Sequence, residues 1–409
     1  MTKLRIGVLF GGRSKEREVS FAGGRTVYDN LDRNLYIPVP IFITDKNEFF
    51  KLKWEFIYKG SIKDFYPSQV EEMGEKITME SLKDIIDVAF LVLHGLDGED
   101  GHVQGLLEWL NIPYTGSKVL GSALGISKFI QKELMKNYGY KTNKFKFLFR
   151  EKWLKNRCTY LDEINNEFNF PFVVKSANQG SSIGVSIAHN AEDLEKAIDT
   201  GFGILKIKKD FWDTLVPKDK YEFLKKNITE KIEFGFPVTV DGNSFCDAYS
   251  LMHYLDGNTD EEFLIHANIH DDEVLIEDFI SGREFSCIVL QKKNEEPHAL
   301  FPTEILLKDS EFFDYRSKYM LGASMKVTPM QIEENEMKNI RDTSVKLFKD
   351  LHFKVFARMD GFISEDNEVI INDANSISGM EPISLLFQQA VYSNLSPKQL
   401  LTFIITNSL

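Results

Sequence analysis

Short apolar runs alternate with amphipathic stretches over the first 117 residues of the chain. Two runs, residues 6–10 and 88–93, are almost wholly apolar, as strands buried on both faces of a parallel sheet are. Apolar side chains recur at helical spacing in residues 19–31 and 103–110. This alternation predicts an α/β layer on a parallel sheet, whose ligands bind beyond the carboxyl ends of the strands.

Glycine-rich loops follow both predicted strands, at residues 11–12 and 94–101. The first loop leads into a helix that Ser14 can cap and whose first turn carries Glu16. An acidic residue there usually complements the helix dipole; the functional alternative is that Glu16 binds a substrate ammonium. The second loop begins with His94. Most lone histidines after a buried strand are structural, although the carboxylates of this loop can orient the ring by a hydrogen bond.

The middle of the chain combines a long helical pattern over residues 126–138 with an apolar strand at 172–175. Lys175 ends that strand before a loop rich in glycine and serine, whose N–H groups and hydroxyls can hold phosphates beside the ammonium. A surface hairpin explains this pattern equally well, and the spacing is not that of a Walker A motif. Lys128 is a weaker candidate, because most helical lysines are solvated. Residues 203–266 match no known motif.

A short apolar segment with carboxylates on either side opens the carboxyl-terminal part. Glu277 and Glu284 can accept hydrogen bonds from a ribose while Phe279 and Ile280 pack on a purine. An ordinary acidic turn is the simpler explanation of these residues taken alone.

Three further elements are predicted before the chain ends. A strand covers residues 284–290 and a helix covers residues 334–351. Between them, residues 311–328 form a polar and aromatic loop. Such a loop suits a lid that closes over phosphates and excludes water, and suits a packed surface loop equally.

The most informative stretch is a predicted hairpin with its turn at residues 364–367. Its first strand carries Arg358 and Asp360, and its second carries Asp373 and Asn375. Residues two apart on a strand project from one face, so strands paired in register would present three oxygen donors and a guanidinium together. Such oxygens suit Mg²⁺ held jointly with substrate phosphates, and the arginine suits a developing negative charge. The alternative is an ordinary charged surface hairpin, but these groups are costly to bury among apolar neighbours without a ligand.

Composition narrows the class of protein. The 409 residues suffice for two or three domains, and the net charge of -13 argues against general affinity for nucleic acid or an anionic membrane. Three widely spaced cysteines favour neither a disulfide framework nor a zinc site, and indicate a reducing compartment. No run approaches the roughly eighteen apolar residues of a spanning helix, and the amino-terminal run is too short for a signal peptide. We expect a cytoplasmic protein with neither a nucleic-acid nor a membrane partner.

Taken in order, these segments resemble the D-alanine–D-alanine ligase family of the ATP-grasp superfamily. The matching motifs are Gly-Gly-x-Ser-x-Glu-Arg-Glu-Val-Ser at 11–20, His-Gly-x-x-Gly-Glu-Asp-Gly at 94–101, Tyr-Thr-Gly-Ser at 114–117, Ser-Lys at 127–128, Val-Val-Lys at 173–175, Gly-Ser-Ser-x-Gly at 180–184, Ile-Glu-x-Phe-Ile-Ser-Gly-x-Glu at 276–284, Asp-Tyr-x-x-Lys-Tyr at 314–319, Arg-x-Asp at 358–360, Ala-Asn at 374–375, Ser-Gly-Met at 378–380 and Ser-Leu at 384–385. Each motif alone is weak, whereas their ordered sum is specific.

The resemblance implies an α/β and α+β architecture, the three-domain ATP-grasp fold with a Rossmann-like amino-terminal domain and ATP between two antiparallel sheets. The expected domains are residues 1–117 for substrate, 118–276 as the central ATP-grasp domain, and 277–409 carrying the metal site. The separation of Gly184 from Glu277 exceeds the family pattern by about 65 residues, which indicates an insertion at about 203–266. That insertion extends a lid, contacts a second subunit, recognises another substrate, or is a tolerated surface elaboration.

The resemblance also implies a role for each matching residue. Residues expected to contact ATP are Lys128, Lys175 and Ser182 at the phosphates and Glu277, Phe279, Ile280 and Glu284 at the adenosine. Residues expected to hold two Mg²⁺ ions, which Mn²⁺ can replace, are Asp360, Asp373 and Asn375. Residues expected at the first amino acid are Glu16, Ser181, Tyr319 and His94. Ser384 and Leu385 are expected at the second amino acid, and Lys318 is expected at the γ-phosphate. Arg358 and Gly379 are expected to stabilise the oxyanion.

The implied function is ATP-dependent joining of two D-alanine molecules through an acyl phosphate, for peptidoglycan synthesis and hence cell shape, by a homodimer. Asp373 stands where the family usually has glutamate, and residues 376–380 depart from the usual Thr-x-Pro-Gly-Met. The insertion and Asp373 keep open an ATP-grasp ligase for another amino acid or peptide, and Asp373 also keeps open a nucleotide-binding regulator without ligase activity. A dinucleotide oxidoreductase is disfavoured because the first glycine-rich loop lacks G-x-G-x-x-G.

Overall fold

The structure, a computed structural model, describes residues 2–307 and 324–409. The chain forms two compact units: unit 1 comprises Met1–Thr142 and Ile280–Leu409, and unit 2 comprises Asn143–Phe279. The division into three domains expected above stays a prediction. No helix among the described residues is long and apolar enough to cross a membrane.

The amino-terminal part of unit 1 is built on a five-stranded sheet. Its elements are β1 (Leu4–Gly11), α1 (Arg17–Asn30), β2 (Tyr36–Ile43), β3 (Phe49–Leu52), α2 (Trp54–Ile57), a short 3₁₀ helix (Ile62–Asp64), β4 (Gly74–Ile77), α3 (Leu82–Ile85), β5 (Val88–Leu91) and α4 (His102–Trp109). The strand order is β4-β3-β2-β1-β5. β1 pairs in parallel with β2 and β5, as the apolar runs predict, and β3 and β4 add an antiparallel edge because a short turn joins β2 to β3.

The helix predicted over residues 126–138 forms as α6 (Lys128–Asn137), and it is preceded by α5 (Val119–Ile126), which was not predicted. Ser127 between them has an extended backbone, and its hydroxyl accepts a hydrogen bond from the Ile130 N–H at 3.4 Å. Because serine is a favoured N-cap, it starts a new helix at this point. Lys128 is therefore the first residue of α6.

Unit 2 contains two four-stranded sheets. Its elements are β6 (Phe145–Phe149), α7 (Arg150–Lys155), α8 (Arg157–Glu167), β7 (Phe172–Ser176), β8 (Ser186–Ala188), α9 (Ala191–Gly201), β9 (Ile204–Lys208), α10 (Lys209–Thr214), α11 (Pro217–Leu224), a π helix (Lys225–Thr229), β10 (Val238–Val240), β11 (Asn243–Phe245), α12 (Ala248–Gly257), β12 (Glu262–Ala267) and β13 (Glu273–Asp278). One sheet has the order β6-β13-β7-β8 and the other β11-β10-β12-β9. The second sheet and helices α10–α12 share a core around Trp212 and Phe263, which gives residues 204–267 a hydrophobic cluster of their own.

The carboxyl-terminal part of unit 1 is an antiparallel sheet. Its elements are β14 (Gly282–Leu290), β15 (His298–Ala299), β16 (Thr303–Leu307), β17 (Ser324–Val327), α13 (Glu334–Asp350), β18 (Phe356–Ser364), β19 (Val369–Asn375), α14 (Leu385–Tyr392) and α15 (Pro397–Ser408). The order is β17-β16-β14-β18-β19, and β15 pairs with β14. The loop predicted over residues 311–328 is wrong at its end, where β17 pairs with β16, and residues 308–323 lie outside the described part of the chain.

The two parts of unit 1 share one hydrophobic core. Phe10 of β1, Phe356 of β18 and Leu386 of α14 belong to the same cluster of buried side chains. This packing joins the loops after the amino-terminal strands to the sheet that carries the predicted hairpin, and so positions the candidate site.

Candidate active site

The predicted hairpin forms in register. Arg358 lies opposite Asn375, and Asp360 lies opposite Asp373, so all four polar side chains start from one face of β18 and β19. A register shift follows Asp360, which leaves Asn372 as an extra residue in a bulge. Bulges bend a strand and redirect its side chains, and this one adjoins the Asp360–Asp373 pair.

The Asp360 carboxylate is held by three side chains. The Arg358 Nε lies 3.0 Å from both of its oxygens, and the Asn375 amide donates to Oδ2 at 3.3 Å. The Ser286 hydroxyl donates to Oδ1 at 2.7 Å, because β14 places Ser286 directly opposite Asp360. Sequence reasoning missed Ser286. The sequence offered one indication of its role: Ser286 lies two residues after Glu284 and therefore on the same face of the strand.

Two buried glutamines bind the backbones of the strands that carry this cluster. The Gln131 amide of α6 donates to the Ala374 carbonyl at 2.9 Å and accepts the Ala374 N–H at 3.0 Å, replacing the neighbour that the edge strand β19 lacks. The Gln389 amide of α14 binds the interior strand β14 in a similar way, donating to the Ser286 carbonyl and accepting the Ile288 N–H. The backbone on either side of the polar face is therefore fixed by side chains.

Three buried ionisable groups line the loops after β1 and β5: Glu16, His94 and Glu99. Burial, together with the Arg358 charge, lowers the pKa of His94 to about 4, so the imidazole is neutral at pH 7. Burial and then the Glu16 charge raise the pKa of Glu99 to about 8, with a smaller contribution from Asp373. The charges of Glu16 and of the hairpin residues therefore shift the pKa values of His94 and Glu99 within unit 1.

The hydrogen bonds in these loops differ from the expected ones. Glu99 accepts from the Gly95 N–H at 2.7 Å, and Asp97 pairs with Arg13, so neither carboxylate orients His94. The His94 Nε2 is buried without a partner among the described residues. Ser14 does not cap α1: its hydroxyl accepts from the Glu16 N–H at 3.1 Å, and Glu16 itself precedes the first helical residue.

The remaining candidates of unit 1 lie around the same sheet. Ser384 precedes α14 and Leu385 is its first residue, while Gly379 lies in the loop between β19 and α14. Glu284 lies on β14 two residues before Ser286. Ile280 is half-buried just before that strand.

Unit 2 carries the other candidates. The Lys175 ammonium on β7 contacts the Glu277 carboxylate on β13, and both side chains are buried. Ser181 and Ser182 have positive φ angles of 50° and 59°, a conformation that turns the loop after β7 sharply. Phe279, the last residue of unit 2, is 39 % exposed. Lys318 and Tyr319 lie outside the described residues.

The donor set on the hairpin fits a hard divalent cation. Asp360 and Asp373 face each other directly across the two strands, and like charges so placed repel unless a cation lies between them. Arg358 compensates one of the two charges. Carboxylate and amide oxygens are ligands that Mg²⁺ accepts alongside phosphate oxygens.

Comparison with known proteins is consistent with this geometry. The chain matches the family models described as D-ala D-ala ligase N-terminus, over residues 5–117, and D-ala D-ala ligase C-terminus, over residues 134–206 and 207–406. It is 31% identical to a D-alanine–D-alanine ligase of Natranaerobius thermophilus, with 99% of this chain and 94% of the relative covered. It is 30% identical to the corresponding ligase of Geobacillus thermodenitrificans, with 94% and 89% covered.

Solved structures share the fold. The VanG D-Ala:D-Ser ligase of Enterococcus faecalis matches with a TM-score of 0.72 and 25% identity, covering 100% of both chains. The D-alanine–D-alanine ligase of Bacillus anthracis complexed with ATP matches with a TM-score of 0.61 and 25% identity, covering 99% of this chain and 97% of that one. The mixed helix-and-sheet fold class predicted from the sequence is confirmed.

Proposed function

This chain belongs to the D-alanine–D-alanine ligase family, and on that basis we propose that it is an ATP-dependent ligase that joins two D-alanine molecules, forming ADP and phosphate. The observation that carries the proposal furthest is the polar face of the hairpin, where Arg358, Asp360, Asp373 and Asn375 lie in register. The product serves peptidoglycan synthesis. The homodimer and the cytoplasmic location expected from the sequence belong to the proposal as well.

The first step activates a carboxylate. The first D-alanine is bound through its ammonium by Glu16, and ATP phosphorylates its carboxylate to an acyl phosphate. Lys128 and Lys175 are assigned to the phosphates, where their charges counter the charge on the transferring group. Asp360, Asp373 and Asn375 would hold Mg²⁺, which neutralises phosphate charge when bound.

The second step forms the peptide bond. The amine of a second D-alanine, bound at Ser384 and Leu385, attacks the acyl phosphate, and phosphate leaves. Arg358 and the Gly379 N–H are assigned to the oxyanion that develops on the carbonyl oxygen. Burial of His94 keeps its imidazole neutral, so it can donate or accept a hydrogen bond near the first substrate without adding a charge.

The test is ligation by the purified protein. We expect ADP and D-alanyl-D-alanine from ATP and D-alanine, and no product from L-alanine. Arg358→Ala should lower turnover at least about 100-fold, as the loss of an oxyanion donor does, while the protein still unfolds cooperatively. Arg33→Ala, at an exposed arginine, is the matched control. Turnover of Arg358→Ala near that of the unmodified protein would refute the assignment.

A second candidate is ligation of D-alanine to D-serine. The match to the VanG D-Ala:D-Ser ligase over the full chain favours it. Competition between D-alanine and D-serine as second substrate, with dipeptides separated by mass, distinguishes the two reactions. ATP binding without phosphate release for any amino acid would instead indicate a nucleotide-binding regulator.

A further inference from the structure

A half-buried carboxylate, one oxygen of which is buried, lies beside the proposed oxyanion site, and the proposed mechanism gives it no role. It belongs to Glu381, in the loop between β19 and α14. A methyl group built on Gly379 would come within 2.7 Å of the Glu381 Oε2, so the carboxylate lies directly against the Gly379 backbone. The Ser384 N–H donates to the Glu381 carbonyl at 2.9 Å, which fixes the residue relative to the start of α14.

Buried polar atoms without partners are concentrated in the loop that carries this carboxylate. The Glu381 Oε1 and the hydroxyls of Ser378 and Ser384 are buried and form no hydrogen bond with any part of the chain that the structure describes. A buried polar atom left unpaired costs about 1–3 kcal/mol. The Ser376 hydroxyl is a fourth such atom in this loop, and the three at residues 378–384 indicate a polar ligand that satisfies them. A molecule with an amine and a carboxylate has groups for all three.

The position of this carboxylate matches a need of the reaction. The second amino acid arrives as an ammonium, which has no lone pair and cannot attack a carbonyl carbon. The attacking nitrogen must lie next to that carbon, and the carbonyl oxygen must point at the Gly379 N–H. A carboxylate in contact with Gly379 is therefore within reach of the attacking nitrogen.

We propose that Glu381 binds the ammonium of the second amino acid and removes one of its protons, a role that rests on the proposed function. The N–H bond breaks and the proton moves to a Glu381 carboxylate oxygen, leaving a neutral amine with a lone pair. That lone pair forms the C–N bond to the acyl phosphate, the C–O bond to phosphate breaks, and the departing phosphate takes the second proton from nitrogen. Ser378 and Ser384 hydrogen-bond the same molecule.

The charges around Glu381 suit a base that works at neutral pH. Burial is the largest influence and raises the pKa of Glu381 to about 6, so the side chain is ionised at pH 7 yet more basic than an exposed glutamate. The charged groups that face it in unit 1 are Lys326 on β17 and Arg358 on β18, which lower its pKa, and Glu16, which raises it. The two cations also favour departure of a proton from the ammonium.

The test separates the two half-reactions in Glu381→Gln, with Glu334→Gln, at an exposed glutamate, as the matched control. Hydroxylamine traps the acyl phosphate as a hydroxamate and is neutral near pH 7, so it needs no base. We expect Glu381→Gln to keep hydroxamate formation within about 3-fold and to lose dipeptide formation about 100-fold at pH 7, as removal of a general base does. Glu381→Asp should recover at least about tenfold.

The pH profile provides a second measurement. In the unmodified protein kcat/KM for the second D-alanine should rise with pH up to about 6 and then level off. In Glu381→Gln it should continue to rise about tenfold per pH unit, with the fraction of free amine. Dipeptide formation within about 3-fold of the control would overturn the proposal, and so would joint loss of hydroxamate and dipeptide, which would place Glu381 in the first step. No hydroxamate from the unmodified protein would instead refute the proposed function.

Discussion

Replacing Gln131 by methionine should weaken the strand that carries two residues proposed to bind Mg²⁺, although Gln131 contacts no ligand in the proposed mechanism. Its amide makes three buried hydrogen bonds: to the Ala374 carbonyl at 2.9 Å, from the Ala374 N–H at 3.0 Å, and to the Gly125 carbonyl at 2.5 Å. Gln131 is 2 % exposed and Ala374 is fully buried, so water cannot replace the lost bonds. Methionine has a similar volume and leaves no large cavity.

The expected loss follows from those bonds. Each buried hydrogen bond contributes about 1 kcal/mol, so Gln131→Met should lower the free energy of unfolding of unit 1 by about 3 kcal/mol. Unit 1 has about 270 residues, for which an unfolding entropy of about 2.1 cal/mol/K per residue converts that loss into a Tm lower by about 5 °C. Asp373 and Asn375 lie on either side of Ala374, so a displaced β19 should also raise the half-saturating Mg²⁺ concentration about tenfold.

Thermal unfolding and a Mg²⁺ titration of ATP-dependent phosphate release measure these two effects. The matched control is Gln69→Met, because the Gln69 side chain forms no hydrogen bond to a described residue; its change should stay within about 0.5 kcal/mol. If Gln131→Met unfolds at the temperature of the control and has the same Mg²⁺ dependence, then Gln131 does not support β19 and the argument fails.

Two further predictions concern the carboxylates of the site. Ser286→Ala removes the 2.7 Å hydrogen bond to Asp360 and should raise the half-saturating Mg²⁺ concentration about 10-fold in the same titration. The control Ser68→Ala, at an exposed serine, should leave that concentration unchanged. Equal titration curves for the two variants would show that Ser286 does not orient Asp360. In the folded protein the pKa of Glu99 is raised to about 8, whereas in the unfolded chain Glu99 loses its proton near the usual pKa of a glutamate. The folded state therefore loses stability as the pH rises between about 4 and 8. Glu99→Gln should therefore gain at least about 1 kcal/mol over the unmodified protein at pH 8 and nothing at pH 4, measured by chemical denaturation, and a pH-independent difference would contradict the raised pKa.

The hairpin was predictable because its signal is local. Charged residues two apart within an apolar run specify both a strand and the face that carries the charges, as for Arg358 with Asp360. Ser286 gives no such signal. Its role depends on the register of β14 against β18, which long-range pairing decides, and a serine in a strand is unremarkable until its neighbour across the sheet is known.

Gln131 and Gln389 were missed for a related reason. A glutamine on an amphipathic helix is expected to face solvent, and each of these faces a strand whose backbone lacks a neighbour at that point. The hydrophobic core within residues 203–266 was not predicted, for the opposite reason. The composition there is ordinary for a small folded domain, and apolar residues such as Trp212 and Phe263 identify a core only once the sheet that gathers them is known.

Two carboxyl groups of unit 1 have raised pKa values and yet differ in protonation. Burial raises the pKa of both Glu99 and Glu381, but Glu16 and Asp373 raise that of Glu99 further, whereas Lys326 and Arg358 lower that of Glu381. At pH 7 Glu99 is therefore neutral, and Glu381 is ionised. In the proposed mechanism a neutral Glu99 adds no second charge beside Glu16, the residue assigned to the first ammonium. Glu381, ionised at pH 7 yet more basic than an exposed glutamate, is the group proposed to accept a proton. In that mechanism the first amine keeps its proton and the second loses one, which is the order that peptide bond formation requires.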